Sequence, residues 1–421
     1  MILPRRRIEP SEIGRILIAI ILVLILAAGL VAINFLLFAK IAKGGEFFTI
    51  WSGARAFLFE HASPYSTYVP DHVQAMVYER SAGPGENPFI LDIPFSILLV
   101  FFPLSLIQNT SAALVIFQLL LEITVLWFAG TCIQLANWNP KIDLRITFFV
   151  LMVLNYFTIH SILEGSLSTL VIAGVAGLLL SLRIGRDELA GALVALLAFK
   201  WQIAAPILIF VVLRVIRFRM WRVAAGFAML TFILSTISTF LYPGWTIAYL
   251  RALVNDWRAD YGFSTFRSFT ELFPIHGARV AWFVILLLTI MVIIEWVRAQ
   301  DANDLQVAWT SCLTLAITPL LGFRLEIQEL TLLLLPATLI LAVVNQRWIR
   351  TGSWTAISLM ITFLFISWFA FNDYFNNIRI ISAHEMFLFF PILIIVGLYW
   401  VRWWAIRPPR TWLDHISKTI A

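Results

Sequence analysis

Residues 44–65 read GGEFFTIWSGARAFLFEHASPY and are the first to leave the apolar run Ile16–Ala39. Glu46 stands just where that run ends. Phe47, Phe48, Ile50, Trp51, Ala54, Phe57 and Leu58 then recur at near-helical spacing, and Ser63-Pro64-Tyr65 breaks the pattern. The spacing predicts an amphipathic helix lying on a membrane surface, with one carboxylate at the boundary between water and lipid. A chain that emerges from a span this way is expected to be a polytopic bundle, all-α throughout.

Composition agrees. The 421 residues are 61% hydrophobic and only 13% charged, against about 45–50% and about 25% in soluble domains. The apolar excess is gathered in long runs, and the 17 Trp and 35 Phe suit aromatic belts and lipid-facing walls. The net charge of +6 does not point to nucleic acid, because the basic residues cluster in short connections between apolar runs, where they set topology. Cys132 and Cys312 both lie inside apolar runs and form no disulfide or zinc pattern. The run 16–39, preceded by Arg5, Arg6, Arg7 and Arg15, exceeds a signal-peptide core of about 7–15 residues. It reads as an uncleaved span with a cytoplasmic N-terminus.

A span needs about 20 apolar residues. Further candidates are 93–107, 111–136, 146–163, 167–182, 188–213, 221–242, 278–298, 305–322, 326–345, 353–371 and 385–405, giving about 10–12 membrane helices, some short or re-entrant. The run 93–107 is short and carries Pro94 and Pro103, so it reads as a half-helix or a tilted, broken span, and the topology set by the basic connections requires it to re-enter without crossing. The run 188–213 has Arg183 and Arg186 before it and Arg214, Arg217, Arg219 and Arg222 after it. Short basic loops prefer the cytoplasm, and one straight helix cannot begin and end on the same side. Two short helices in a hairpin resolve the conflict, with Lys200 at the tip. Residues 1–421 then form one membrane domain with both termini cytoplasmic. The polar-rich connections, chiefly 40–92 and 243–277, fall on the other side.

Four places carry candidate chemistry. Glu46 is a candidate general base for a sugar hydroxyl, or simply an acid favoured at a helix start. Lys200, with Gln202 beside it, is placed to hold a lipid phosphate as a point charge, or to snorkel to the interface. The segment 255–271 mixes Arg258 and Arg267 with Trp257, Tyr261 and Phe263, a combination suited to sugar stacking and phosphate binding, or to an ordinary interfacial loop. Arg324, Glu326 and Glu329 gather at one span end, as ligands or as charges that pair with one another. Glu122 and Glu164 lie inside or at the end of apolar runs, where acids are functional candidates by default. A structural role, protonated or paired with an arginine, is expected for Glu122. The six His make no metal-binding spacing, and no phosphate-binding glycine loop or dinucleotide fingerprint is present.

Four blocks in order carry a resemblance: EFFTIWSGARAFL…SPY, then ENPFILDIPFSILLVFFPLSLI, then EGSLSTL…RIGRDELAG…AFKWQIAAPI, then TPLLGFRLEIQELTLLLLPATL. Together they span most of residues 44–340 and resemble glycosyltransferase family 87, the polyprenol-phosphate-mannose-dependent mannosyltransferase-like proteins of the GT-C class. Glu46 stands where that family usually has Asp, Ser168 lies near its polar Asn, and Trp201 replaces the Pro after Lys200. The fourth block offers Arg324 and Glu326 in place of a histidine. The resemblance implies a GT-C-type bundle in the cell membrane. It implies inverting transfer of a hexose, mannose first, outside the cytoplasm from a polyprenyl-phosphate sugar donor to a lipid-linked or glycan acceptor. Glu46 would be the base. Lys200, Arg267 and Arg324 would hold the donor phosphate. Trp51, Arg55, Tyr65, Gln202, Trp257 and Glu326 would contact substrate. No metal ligands are assigned, and a divalent metal is left open as cofactor. A transporter or lipid flippase, and a non-catalytic scaffold of the same architecture, are the alternatives.

Overall fold

The computed structural model describes residues 44–348, 351–372 and 382–407, with residues 29, 32 and 34–38 of the first run. The rest of that run, the arginine-rich N-terminus and the C-terminal tail lie outside the described residues. The described chain is an all-α bundle with two isolated β-bridges and no strand. In chain order the helices are α1 Gly45–Phe59, α2 Tyr68–Tyr78, α3 Thr110–Leu135, α4 Ile142–Leu154, α5 Tyr156–Glu164, α6 Ser168–Arg183, α7 Asp187–Leu197 and α8 Trp201–Arg217. There follow α9 Trp221–Leu241, α10 Trp245–Arg258, α11 Thr265–Leu272, α12 Gly277–Ala299, α13 Asp304–Ile317, α14 Leu334–Arg347, α15 Gly352–Phe371 and α16 Ala383–Ala405.

By length and composition, seven stretches among the described residues can cross a membrane, or eight if the bent pair α4–α5 is one span. This is a multi-pass membrane protein. Several other apolar runs among the described residues are cut short locally, and the run 16–39 lies largely outside the described residues. The α4–α5 pair bends by 47° at Asn155, whose extended backbone ends one helix and whose side chain accepts from the Thr158 amide to start the next. At Thr318–Leu320 a 3₁₀ turn carrying Pro319 ends α13, since proline has no amide for a helical bond. Residues 95–105 form only short helical pieces, about 16 Å at 1.5 Å per residue. Phe95 and Phe102 both pack against Phe57 of α1, and the segment is shorter than the stretches that can cross a membrane.

Asp187–Arg217 reads as one 31-residue span by length and composition, but its contacts fold it back on itself. Along α7, Leu193 lies against Gly177 and Leu197 against Gly174, so α7 runs antiparallel to α6. Yet Arg183 at the end of α6 and Arg214 at the end of α8 line the same cleft. A straight helix of 31 residues would separate its ends by about 46 Å. The chain reverses at Lys200, where φ −97° and ψ 60° leave the helical region. The arms diverge because α7 docks on α9. A Cβ on Gly191 or on Gly226 would come within 2.0–2.3 Å of the other helix's carbonyl oxygens, so only glycine permits this approach.

The bundle therefore has two unlike ends. At one end Arg183 donates to the Gln134 and Leu135 carbonyls, Arg214 to Ala299, Gln346 to Asn137 and Arg347 to Trp404, and Asn303 donates to Ile406. These bonds tie the basic connections together. At the other end lie Lys200, α1, residues 60–92, residues 164–167 and the segments 256–263 and 322–329.

The first helix departs from the surface-lying arrangement expected for it. Phe47, Ile50, Trp51 and Ala54 are buried on one side, and Gly45, Ser52, Gly53 and Ala56 are buried on others. Phe47 stacks on Phe117 of α3, and Gly53 meets Leu91. The small residues admit close neighbours all round, so α1 is a wall of the protein rather than a raft on lipid. Glu122 lies beside Asn34 of the first run rather than beside an arginine.

A candidate active site around Glu46 and Lys200

Three segments far apart in sequence bring carboxylates to the tip of the α7–α8 hairpin. Glu46 sits in the first turn of α1, where the helix dipole favours an acid. Its Oε1 is 3.1 Å from Lys200 Nζ and accepts from the Leu167 amide at 3.3 Å. Glu164, at the end of α5, accepts from the Gly45 amide at 3.2 Å. The chain turns sharply after it at Gly165, which has φ +62°. A side chain there would add backbone strain, and its Cβ would lie 2.5 Å from Phe47. Glu329 closes the far side of the cluster, 3.4 Å from Lys200 Nζ. Lys200 is buried, and an unpaired cation there would be costly. Two carboxylates satisfy it.

Two adjoining cavities open from this cluster. The inner one is lined by Glu46, Thr49, Asn87, Asp92, Lys200 and Glu326. The outer one shares Glu46, Asn87, Tyr261 and Glu326 and adds His160 and Glu164. It encloses about 780 Å³ with its mouth, within the 300–1,000 Å³ typical of ligand sites. Its roof is the contact between two loops. Phe263 and Leu325 exchange both backbone hydrogen bonds at 2.8 Å, and Gly85 bridges to Tyr261. Glu326 accepts from Asn87 Nδ2 at 2.5 Å and from the Gln328 side chain.

Asp92 and Glu326 are partly buried and both line the inner cavity. Burial, reinforced by the Glu46 and Glu329 carboxylates, pushes Glu326 up to about 8 despite Lys200. Burial likewise pushes Asp92 up to about 6, with Lys200 opposing. At neutral pH Glu326 therefore retains its proton more often than not, which lowers the negative charge of the lining. Among the described residues no group of three or more His, Cys, Asp or Glu is arranged to hold a metal ion.

The residues singled out from sequence are distributed unevenly. Glu46, Lys200 and Glu326 meet in this site. Arg267 reaches the rim, near Gly85, and makes only long contacts to Asp260 at 3.6 Å and Glu271 at 3.7 Å. Arg324 is held elsewhere. It pairs with buried Asp256, donates to the Asp256 and Ala259 carbonyls at 2.6 and 2.9 Å, and stacks on Tyr261 at 4.0 Å. It braces the cavity wall and does not face the opening, so it does not pair with Glu326 or Glu329 as the compact charge pattern suggests. Tyr65 donates to the Ile93 carbonyl at 2.9 Å, and Arg55 donates to Ser105 and lies over Trp51. These three support the back of α1. Gln202 follows the hairpin tip, with its Oε1 buried and without a hydrogen-bond partner among the described residues. Trp257 is 75% exposed and lines neither cavity.

Asp92 was not singled out from the sequence. Its only signal there is an acid set between Leu91 and Ile93 just before Pro94. Comparison with protein-family models, curated proteins and solved structures finds no match for this chain.

Proposed function

We propose that the protein is an integral membrane glycosyltransferase. It moves a hexose, mannose by resemblance, from a polyprenyl-phosphate sugar to a lipid-linked or glycan acceptor. The observation that carries this reading is the contact of Glu46 with Lys200 at the wall of a cavity built from three distant segments. The arginine-rich end of the bundle would face the cytoplasm by the positive-inside tendency. The site would then open on the other side.

In this mechanism Glu46 takes the proton of the acceptor hydroxyl as its oxygen bonds to the anomeric carbon. The bond from that carbon to the phosphate oxygen breaks, and polyprenyl phosphate departs with the electron pair. Attack from the opposite face inverts the configuration. Lys200 and Arg267 face the departing charge, the electrostatic contribution expected to dominate. Arg324, committed to Asp256, shapes the wall instead.

A transporter reading is favoured by a different observation. Lys200 sits at a broken helix among several carboxylates, an arrangement transporters use at their coupling sites. Reconstituted vesicles supplied with radiolabelled polyprenyl-phosphate mannose and a mixed lipid acceptor separate the two. The glycosyltransferase reading predicts labelled product with release of polyprenyl phosphate. Movement of intact donor across the bilayer without transfer would replace it with the transporter reading.

A further inference from the structure

A second cleft opens at the basic end, far along the hairpin from Lys200. It lies between α6, α8, α13 and α14 and encloses about 890 Å³ with its mouth. Its depth is apolar, lined by Leu179, Phe210, Val211, Leu335 and Leu339. Its mouth carries Arg183 and Arg214 from different helices, with Asp304 as the one carboxylate of the lining.

The two arginines differ from their neighbours. Arg217 pairs with Asp301, and Arg298 and Arg402 both pair with Glu295. Arg183 and Arg214 make no ion pair among the described residues. They donate to backbone carbonyls, and Arg183 also to Asn137 Oδ1. Arg214 engages one nitrogen in this way and lies over the Phe218 ring at 5.0 Å, and its other guanidinium nitrogens have no hydrogen bond among the described residues. Two guanidinium groups held over one apolar cleft, opposed by a single carboxylate, leave a surplus positive charge. Arginine presents a fork that matches phosphate oxygens, and basic pockets between membrane helices hold anionic headgroups.

We propose that this cleft binds one anionic glycerophospholipid of the adjoining leaflet, with its phosphate between Arg183 and Arg214 and one acyl chain along Phe210 and Leu339. A bound lipid there would brace α8 against α13 and so the hairpin that presents Lys200. The proposal is independent of what reaction occurs at the opposite end.

Native mass spectrometry of the detergent-solubilised full chain tests it, with equimolar phosphatidylglycerol and phosphatidylcholine as probes. One phosphatidylglycerol is expected to remain bound, at least tenfold in preference to phosphatidylcholine. The double substitution R183Q/R214Q should abolish that preference, and Arg214→Lys should keep most of it. Ala308→Phe, which fills the cleft and leaves both arginines, should remove the bound lipid. A monodisperse elution profile for each variant separates loss of binding from loss of fold. Equal retention of the two lipids by the wild type would overturn the proposal. So would a preference unchanged in both the double variant and Ala308→Phe.

Discussion

The two ends of the bundle use charge in opposite ways. At the basic end Arg183, Arg214 and Arg347 bind the orphan carbonyls of helix C-termini, where a cation is favoured. Arg217 and Asp301 are 60% and 73% exposed, and pairs of that kind contribute about 0–1 kcal/mol. At the other end Lys200, Glu46 and Glu329 are 10%, 19% and 6% exposed, and the first two line a cavity. Stability alone would be served as well by apolar packing there, because desolvating ions is costly. Glu295 at the basic end is also buried but is held by both Arg298 and Arg402, whereas Glu46 and Lys200 line a cavity, and the proposed function is placed there.

Four substitutions sharpen that contrast. Lys200→Met should have the largest effect on stability. It leaves Glu46 and Glu329 buried without their cation, at a cost of about 3–5 kcal/mol, read as a large drop in unfolding midpoint in detergent. A variant as stable as wild type would mean the cluster is hydrated and not a true buried pair. Asp256→Ala should come next, since Arg324 then loses its carboxylate and the cavity wall its brace. The expected readout is faster proteolysis of the 256–263 segment, and unchanged cleavage would remove Arg324 from its bracing role.

Glu326→Gln should act through pH. The folded-state value of about 8 lies above the ordinary carboxylate range. The folded protein therefore binds a proton that the unfolded chain has already lost. Its stabilising effect is complete at pH below about 4.5 and is lost as pH rises through about 8. The wild type should lose thermal stability between about pH 4.5 and about pH 8, and Glu326→Gln should flatten that slope. A slope that persists in the variant would assign the titration to another group. Arg217→Ala should have the smallest effect, within about 1 kcal/mol, and a larger loss would erase the distinction between the ends.

Much of the hairpin could be read from residues. Arginines on both sides of one apolar run, with a lysine in its middle, leave few solutions in which the lysine is not at a turn. The carboxylate partners of Lys200 were harder to see. Glu329 stands in sequence among the charges at a span end, and Asp92 carries no pattern of its own, because which loops meet over a cavity is decided by tertiary packing. The surface-lying reading of the first helix failed for a related reason. An apolar face is the same whether it meets lipid or protein, and the distinguishing signal was on its other faces, in Gly45, Ser52, Gly53 and Ala56. The bend at Asn155 depends on the hydrogen bonds of one side chain, which periodicity does not register.

The most direct test of the central claim is single-turnover transfer from polyprenyl-phosphate mannose by Glu46→Gln in reconstituted vesicles, with donor binding measured alongside. The account predicts that donor binding survives while transfer falls by about 10²–10⁴-fold. Transfer at the wild-type rate in Glu46→Gln would contradict it.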